Sequence, residues 1–236
     1  QFTTSDGTYS GTWNLRYSLN GQAYIWTPNW YHTYGGGSYE RFASVAHNDN
    51  TGDIYIGGEF YQNSPQRSDA VYKLNSDGVT QWAKYVEDSD SLAGGSFGSV
   101  ALDSTGDYLF VISQNNNDVS LVTKLNASDG NTIWSVKQTN KDSNNYWNNE
   151  PRGAVDGDGN VYLTGSWTWD DGTYGLTIHK LNGSDGSFMW ATKLNTADGQ
   201  DLYEFYNDDT QPFKVANGKI YYAGYTCLLY TSPSPR

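Results

Sequence analysis

The stretch Asp156-Gly157-Asp158-Gly159-Asn160 sets oxygen-bearing side chains at alternate positions, as the start of a calcium-binding loop does. The acidic residue that closes such a loop further on is missing. The corresponding turn in the preceding repeat carries Ser104 and Thr105 where a ligand would have to stand. A tight turn accounts for the pattern, so no metal site is expected at Asp156, Asp158 and Asn160. Gly94-Gly95-Ser96-Phe97-Gly98 spells a nucleophile elbow, but that motif works only between a strand and a helix, and the residues that follow read as a strand. His32, His47 and His179 share no metal-ligand spacing. Gly35-Gly36-Gly37 lacks the Lys-Ser/Thr that follows a phosphate-cradling loop. No catalytic residue is assigned.

A different chemistry is offered by Tyr146, Trp147, Glu150 and Arg152, by Trp167, Trp169, Asp170 and Asp171, and by Tyr203, Glu204 and Tyr206. Flat aromatic rings beside carboxylates suit a sugar, whose C–H face stacks while its hydroxyls take hydrogen bonds. The same residues would equally serve to wedge neighbouring structural units together and keep a β-rich surface soluble. Which of the two holds depends on the elements that carry them.

Those elements come from an internal repeat. Trp26, Trp82, Trp134 and Trp190 lie 56, 52 and 56 residues apart. They follow Ser18-Leu19-Asn20-Gly21, Lys73-Leu74-Asn75-Ser76-Asp77-Gly78, Lys124-Leu125-Asn126-Ala127-Ser128-Asp129-Gly130 and Lys180-Leu181-Asn182-Gly183-Ser184-Asp185-Gly186. A second series interleaves with the first at the same period. It runs through Asp49-Asn50-Thr51-Gly52-Asp53-Ile54-Tyr55, Asp103-Ser104-Thr105-Gly106-Asp107-Tyr108-Leu109, Asp156 to Val161-Tyr162, and Asn217-Gly218-Lys219-Ile220-Tyr221.

Each period holds four short strand-like runs, separated by Asn, Asp and Gly residues that accept the positive φ of tight turns. Four antiparallel strands in about fifty residues make one propeller blade, so the fold class expected is an all-β propeller of roughly four blades. With the Ile/Val-Tyr strand taken as innermost, full blades would span about 53–103, 107–156 and 160–216. In a four-stranded meander the Asp-x-x-Gly and Ser-Asp-Gly turns share one face. The long connections, and with them the aromatic and acidic residues above, gather on the other, where function usually rides. The repeated Trp residues are expected between blades, each indole N–H finding a backbone partner at the seam.

These blade motifs resemble the pyrroloquinoline-quinone-type propeller repeats and the related β-propeller repeats of secreted proteins, over residues 15–226. The resemblance implies a fold and leaves function open, because the scaffold carries both enzymes and binding proteins. The first reading is a non-catalytic extracellular module or scaffold that recognises a glycan or a protein and needs no cofactor. The alternative is part of a quinoprotein dehydrogenase, which would bring pyrroloquinoline quinone and calcium. No adjacent Cys pair, general-base Asp or calcium ligand can be matched in this sequence to that enzyme family, so its catalytic residues are not carried over.

Composition agrees with this picture. The chain of 236 residues has 14 Lys and Arg against 26 Asp and Glu, a net charge of −12. Such a balance argues against nucleic acid and anionic membrane surfaces as partners. No run of residues is long and apolar enough for a membrane span. The segment 227–236 breaks the repeat pattern, holds the single Cys, and resembles the translation of a sequencing adapter. Residues 1–226 are therefore expected to be the propeller portion, belonging to a longer ring of six to eight blades. Asn126-Ala127-Ser128 and Asn182-Gly183-Ser184 are glycosylation sequons at equivalent places in two repeats, meaningful in a secreted eukaryotic chain.

Overall fold

The computed structural model describes residues 3–5, 8–10, 15–19, 22–26, 40–61, 67–88, 91–92, 96–114, 120–138, 151–168, 174–194 and 213–222. All regular structure among them is β. Two hairpins come first, β1 (Thr3–Ser5) with β2 (Thr8–Ser10) and β3 (Leu15–Leu19) with β4 (Gln22–Trp26). Three four-stranded antiparallel sheets follow. The first is β5 (Glu40–His47), β6 (Ile54–Tyr61), β7 (Arg67–Leu74) and β8 (Thr80–Tyr85), in that spatial order. A small ribbon, β9 (Glu87–Asp88) with β10 (Ser91–Leu92), lies in the link to the second sheet. That sheet is β11 (Ser96–Leu102), β12 (Tyr108–Gln114), β13 (Ser120–Asn126) and β14 (Thr132–Gln138). The third is β15 (Arg152–Val155), β16 (Val161–Thr168), β17 (Tyr174–Leu181) and β18 (Phe188–Lys193). A hairpin of β19 (Phe213–Ala216) and β20 (Lys219–Tyr222) opens the next unit.

These sheets are propeller blades, but their boundaries differ from those read off the sequence. The innermost strand is the one before the Asp-x-x-Gly turn, because β5, β11, β15 and β19 touch one another in succession. The blades therefore span 40–85, 96–138 and 152–193, and the Ile/Val-Tyr strand is second in each. Inner strands crowd together, and small residues stand where they approach most closely. β15 is four residues long, Arg-Gly-Ala-Val. A Cβ placed on Gly98 of β11 would overlap the carbonyl oxygen of Pro151.

Hydrophobic surface is buried between blades. The first seam packs Tyr55 and Val71 of one blade against Phe97, Leu109, Leu121 and Leu125 of the next. The second packs Phe110, Ile112 and Val122 against Val161, Leu163 and Leu181. Each fully buried side chain of this size contributes about 1.5–3 kcal/mol relative to exposure. β12 and β13 face a seam on both sides and are buried almost throughout, whereas the outer strands β8, β14 and β18 alternate with solvent. In each blade the pairing of the last two strands shifts at the same place, after Lys73, Lys124 and Lys180, which bends the outer strand around the Trp.

The repeated Trp residues do not all hold one register. Trp82, Trp134 and Trp190 stand opposite Lys73, Lys124 and Lys180. Trp26 stands opposite Leu15 instead. In that hairpin Leu19 pairs with Gln22, whereas in the first blade Leu74 pairs with Thr80.

Candidate functional site

The antiparallel order sends both short turns of every blade to one face. The turn between first and second strands starts with Asn48, Asp103 or Asp156, whose side-chain Oδ1 accepts two backbone N–H bonds of its own turn. The turn between third and fourth strands starts with Asn75, Asn126 or Asn182, which folds back in the same way. These residues recur because an Asx side chain substitutes for a backbone turn bond. Both sequons fall on such turns, and each Ser hydroxyl donates to the Oδ1 of its Asn, at 2.8 Å. Asn75 forms the same turn without a sequon, so turn formation alone explains the Asn.

Beside these turns each blade carries a row across three strands, an aromatic ring, a Lys and a Trp. The rows are Tyr55–Lys73–Trp82, Phe110–Lys124–Trp134 and Tyr162–Lys180–Trp190. Ring centroids of the outer pair lie 6.0, 5.9 and 5.9 Å apart. Each ammonium sits over the ring of its row, 5.6, 5.3 and 4.8 Å from the centroid. Lys73 also pairs with Asp53 at 2.9 Å, and Lys180 with Asp156 at 3.2 Å. Lys124 instead donates across the seam to the carbonyl of Gly183, at 2.8 Å. That carbonyl corresponds to the one on Ala127 to which the indole of Trp82 donates. Trp134 Nε1 is consequently buried with no hydrogen-bond partner, where the sequence leads one to expect a bond at the seam. The Lys of the Lys-Leu-Asn motif is visible in the sequence three times over, yet its role emerges only once the strands are paired.

The electrostatics follow from these contacts. Burial alone would raise the pKa of Asp156, but its hydrogen bonds with Asn160, Lys180 and Tyr162 outweigh that and hold it below the ordinary carboxylate value. Burial would lower Lys73, yet the bond to Asp53 and the neighbouring Tyr55 leave it raised. Burial lowers Lys124, only partly offset by the charge of Asp103. His179 is buried edge-on against Phe188, and desolvation pushes it down to about 4.

The calcium-like turn is filled by protein donors. Asp156 Oδ1 receives the N–H groups of Asp158 and Asn160, while Oδ2 receives Asn160 Nδ2, the Tyr162 hydroxyl and Lys180 Nζ. Among the described residues no group of three or more His, Cys, Asp or Glu could hold a metal ion.

On the other face, the connections 62–66, 89–95, 115–119, 139–150, 169–173 and 195–212 leave from the far ends of the strands. Tyr146, Trp147, Glu150, Trp169, Asp170, Asp171, Tyr203, Glu204 and Tyr206 lie outside the described residues. Trp167 is on β16, opposite Gly175 and one pair before the strand ends. Arg152 opens β15, is buried, and its Nη1 donates to the carbonyl of Gly98 on the inner strand of the preceding blade. Glu59, which the sequence did not single out, makes a comparable link. Its Oε1 accepts the N–H of Phe97 at 3.1 Å and lies 3.8 Å from Arg41 Nη1. The loop-bearing face thus rests on charged staples between blades.

Among solved structures, the chain is similar to a europium-containing methanol dehydrogenase, at 14% identity and TM-score 0.49, covering 87% of this chain and 42% of that one. It is similar to a gluconolactonase from Xanthomonas campestris, at 14% identity and TM-score 0.47, covering 88% and 60%. A protein from Bacteroides caccae gives 13% identity and TM-score 0.47, covering 78% and 61%. The chain thus spans less than two thirds of each. No curated protein matches the sequence. The pattern of the PQQ_2 family, described as outer membrane protein assembly factor BamB, matches residues 54–230. With that match over most of its length, and with blades of the four-stranded form, the chain belongs to the PQQ_2 family of β-propeller repeat proteins.

Proposed function

We propose that this chain is a non-catalytic β-propeller binding module of a secreted or cell-surface protein, recognising a glycan or a protein through its long-loop face. The observation that carries the proposal is the division of labour between the two faces. On the short-turn face, the recurrent Asn, Asp, Lys and Trp side chains form turns and seams. The long connections all leave from the opposite ends of strands whose positions those seams fix. Variable loops on a rigid scaffold are where recognition resides. A family description that names an assembly factor supports a partner-holding role. No cofactor enters this reading. Were the chain secreted by a eukaryote, Asn126 and Asn182 would carry glycans on the short-turn face.

Glycan-array binding and capture of candidate protein partners test the reading. Trp147→Ala and Trp167→Ala should each abolish or weaken binding at least tenfold. Binding by both variants at wild-type strength removes the long-loop face as the recognition surface. Saturable dye-coupled alcohol oxidation after adding quinone and calcium overturns the non-catalytic reading.

A further inference from the structure

The two seams are closed differently on the short-turn face. Between the second and third blades, Lys124 Nζ reaches Gly183 O at 2.8 Å and Ser104 Oγ reaches Gly157 O at 3.3 Å. Between the first and second blades, Lys73 is held back in its own blade by Asp53 at 2.9 Å, and Ala127 O is served by Tyr55 and Trp82 instead. The inner turns there are joined by Asn48 Nδ2 to Gly106 O, a long 3.5 Å contact. Where the lysine fails to cross, a cavity of about 410 Å³ remains, its walls including Asn50, Asp53, Lys73, Asp107, Tyr108 and Asn126. The volume lies within the usual range of small-ligand sites, roughly 300–1,000 Å³.

We infer that this cavity binds a neutral saccharide unit, making the short-turn face a second ligand-holding surface; the inference rests on reading the chain as a binding module. Among the described residues, the Asp107 carboxylate and the Asn50 side-chain amide engage no protein group. Lys73 engages Asp53 at 2.9 Å and the Tyr55 hydroxyl, which leaves one of its three N–H groups for the cavity. Acceptor, amide and ammonium together match hydroxyls, each of which both donates and accepts. An apolar ligand would strip water from these groups and return nothing. An anion is disfavoured because two carboxylates, Asp53 and Asp107, face a single ammonium. Tyr108 is 37% exposed; the Lys124 ammonium covers one face of its ring, 3.9 Å from the centroid, and the exposed remainder borders the cavity.

Amide-resolved NMR titration of the chain with glucose, N-acetylglucosamine and their β-1,4-linked disaccharides tests this, with inorganic phosphate as the contrasting probe. Saturable shifts are expected at Gly106, Ala127 and Ser128 with at least one sugar, and none with phosphate. Asp107→Ala and Asn50→Ala, exposed positions whose side chains hold nothing in the fold, should each weaken that binding about tenfold. Shifts confined to these turn amides separate this site from the long-loop face. Absence of saturable shifts at those three amides with every sugar, saturation by phosphate alone, or sugar binding there untouched in both variants overturns the inference. None of those results bears on the long-loop surface.

Discussion

The phenol of Tyr55 and the indole of Trp82 converge on one atom, the carbonyl oxygen of Ala127 in the next blade, at 3.2 and 3.3 Å. Either donor alone keeps that oxygen satisfied. Tyr55→Phe and Trp82→Phe should therefore each lose about 1 kcal/mol or less of hydrogen bonding, beyond any packing loss. Removing both donors leaves a carbonyl at the seam without a side-chain partner. The double variant should exceed the sum of the single losses by about 1 kcal/mol in a denaturant-based cycle. Strict additivity would mean that the two bonds do not share the work.

Gly130 takes φ +73°, and a Cβ there would come within 3.0 Å of the Trp82 ring; Gly159 takes φ +82° with nothing within 4 Å. Both Ala substitutions incur left-handed backbone strain of about 1–2 kcal/mol. Gly130→Ala must in addition push the indole away from the turn that covers it. Its unfolding midpoint should fall clearly further than that of Gly159→Ala. Equal midpoints would show that Trp82 yields without cost.

Lys124 occupies Gly183 O while Trp134 Nε1 goes unpaired. In Lys124→Met the indole gains access to that carbonyl, as Trp82 has to Ala127 O. The variant should lose under about 1 kcal/mol, since one hydrogen bond replaces another. Lys73→Met leaves the half-buried Asp53 without its ion pair and should cost more, in a salt-dependent way. A change in the Trp134 indole N–H signal on Lys124→Met reads the exchange directly; an unmoved signal contradicts it.

The period, the turns and the assignment of faces were legible because Asn, Asp and Gly at turns obey local rules, and Leu-Asn…Trp repeats as packing does. The blade to which the innermost strand belongs was not: 153–155 reads as a strand, but it pairs with the strand that follows and not with the one before. The Lys–aromatic rows were present as letters, but which Lys crosses a seam depends on a neighbour's carboxylate. Asp53 holds Lys73 back, whereas among the described residues no carboxylate ion pair holds Lys124. No motif in the sequence marks the cavity at the first seam. For Arg152 the sequence suggested a ligand contact, and the structure finds the guanidinium engaged with Gly98.

His179 stands in its strand where Thr123 stands in the preceding blade, and burial holds it down to about 4 against an ordinary 6.5. Between those values the unfolded chain takes up a proton that the folded chain refuses. The unfolded state then binds more protons, so stability falls as pH drops from 6.5 towards 4, by on the order of 3 kcal/mol. Asp156 adds a second loss at lower pH. Its folded pKa lies below the unfolded one, so its contribution is complete above the ordinary carboxylate range and disappears as pH falls through the folded value. His179→Thr, borrowing the side chain of the preceding blade, should flatten the stability profile between pH 6.5 and 4 and leave the steeper loss below it. Urea midpoints measured across that range decide the matter. A slope identical in the variant would place the acid sensitivity elsewhere than at this seam.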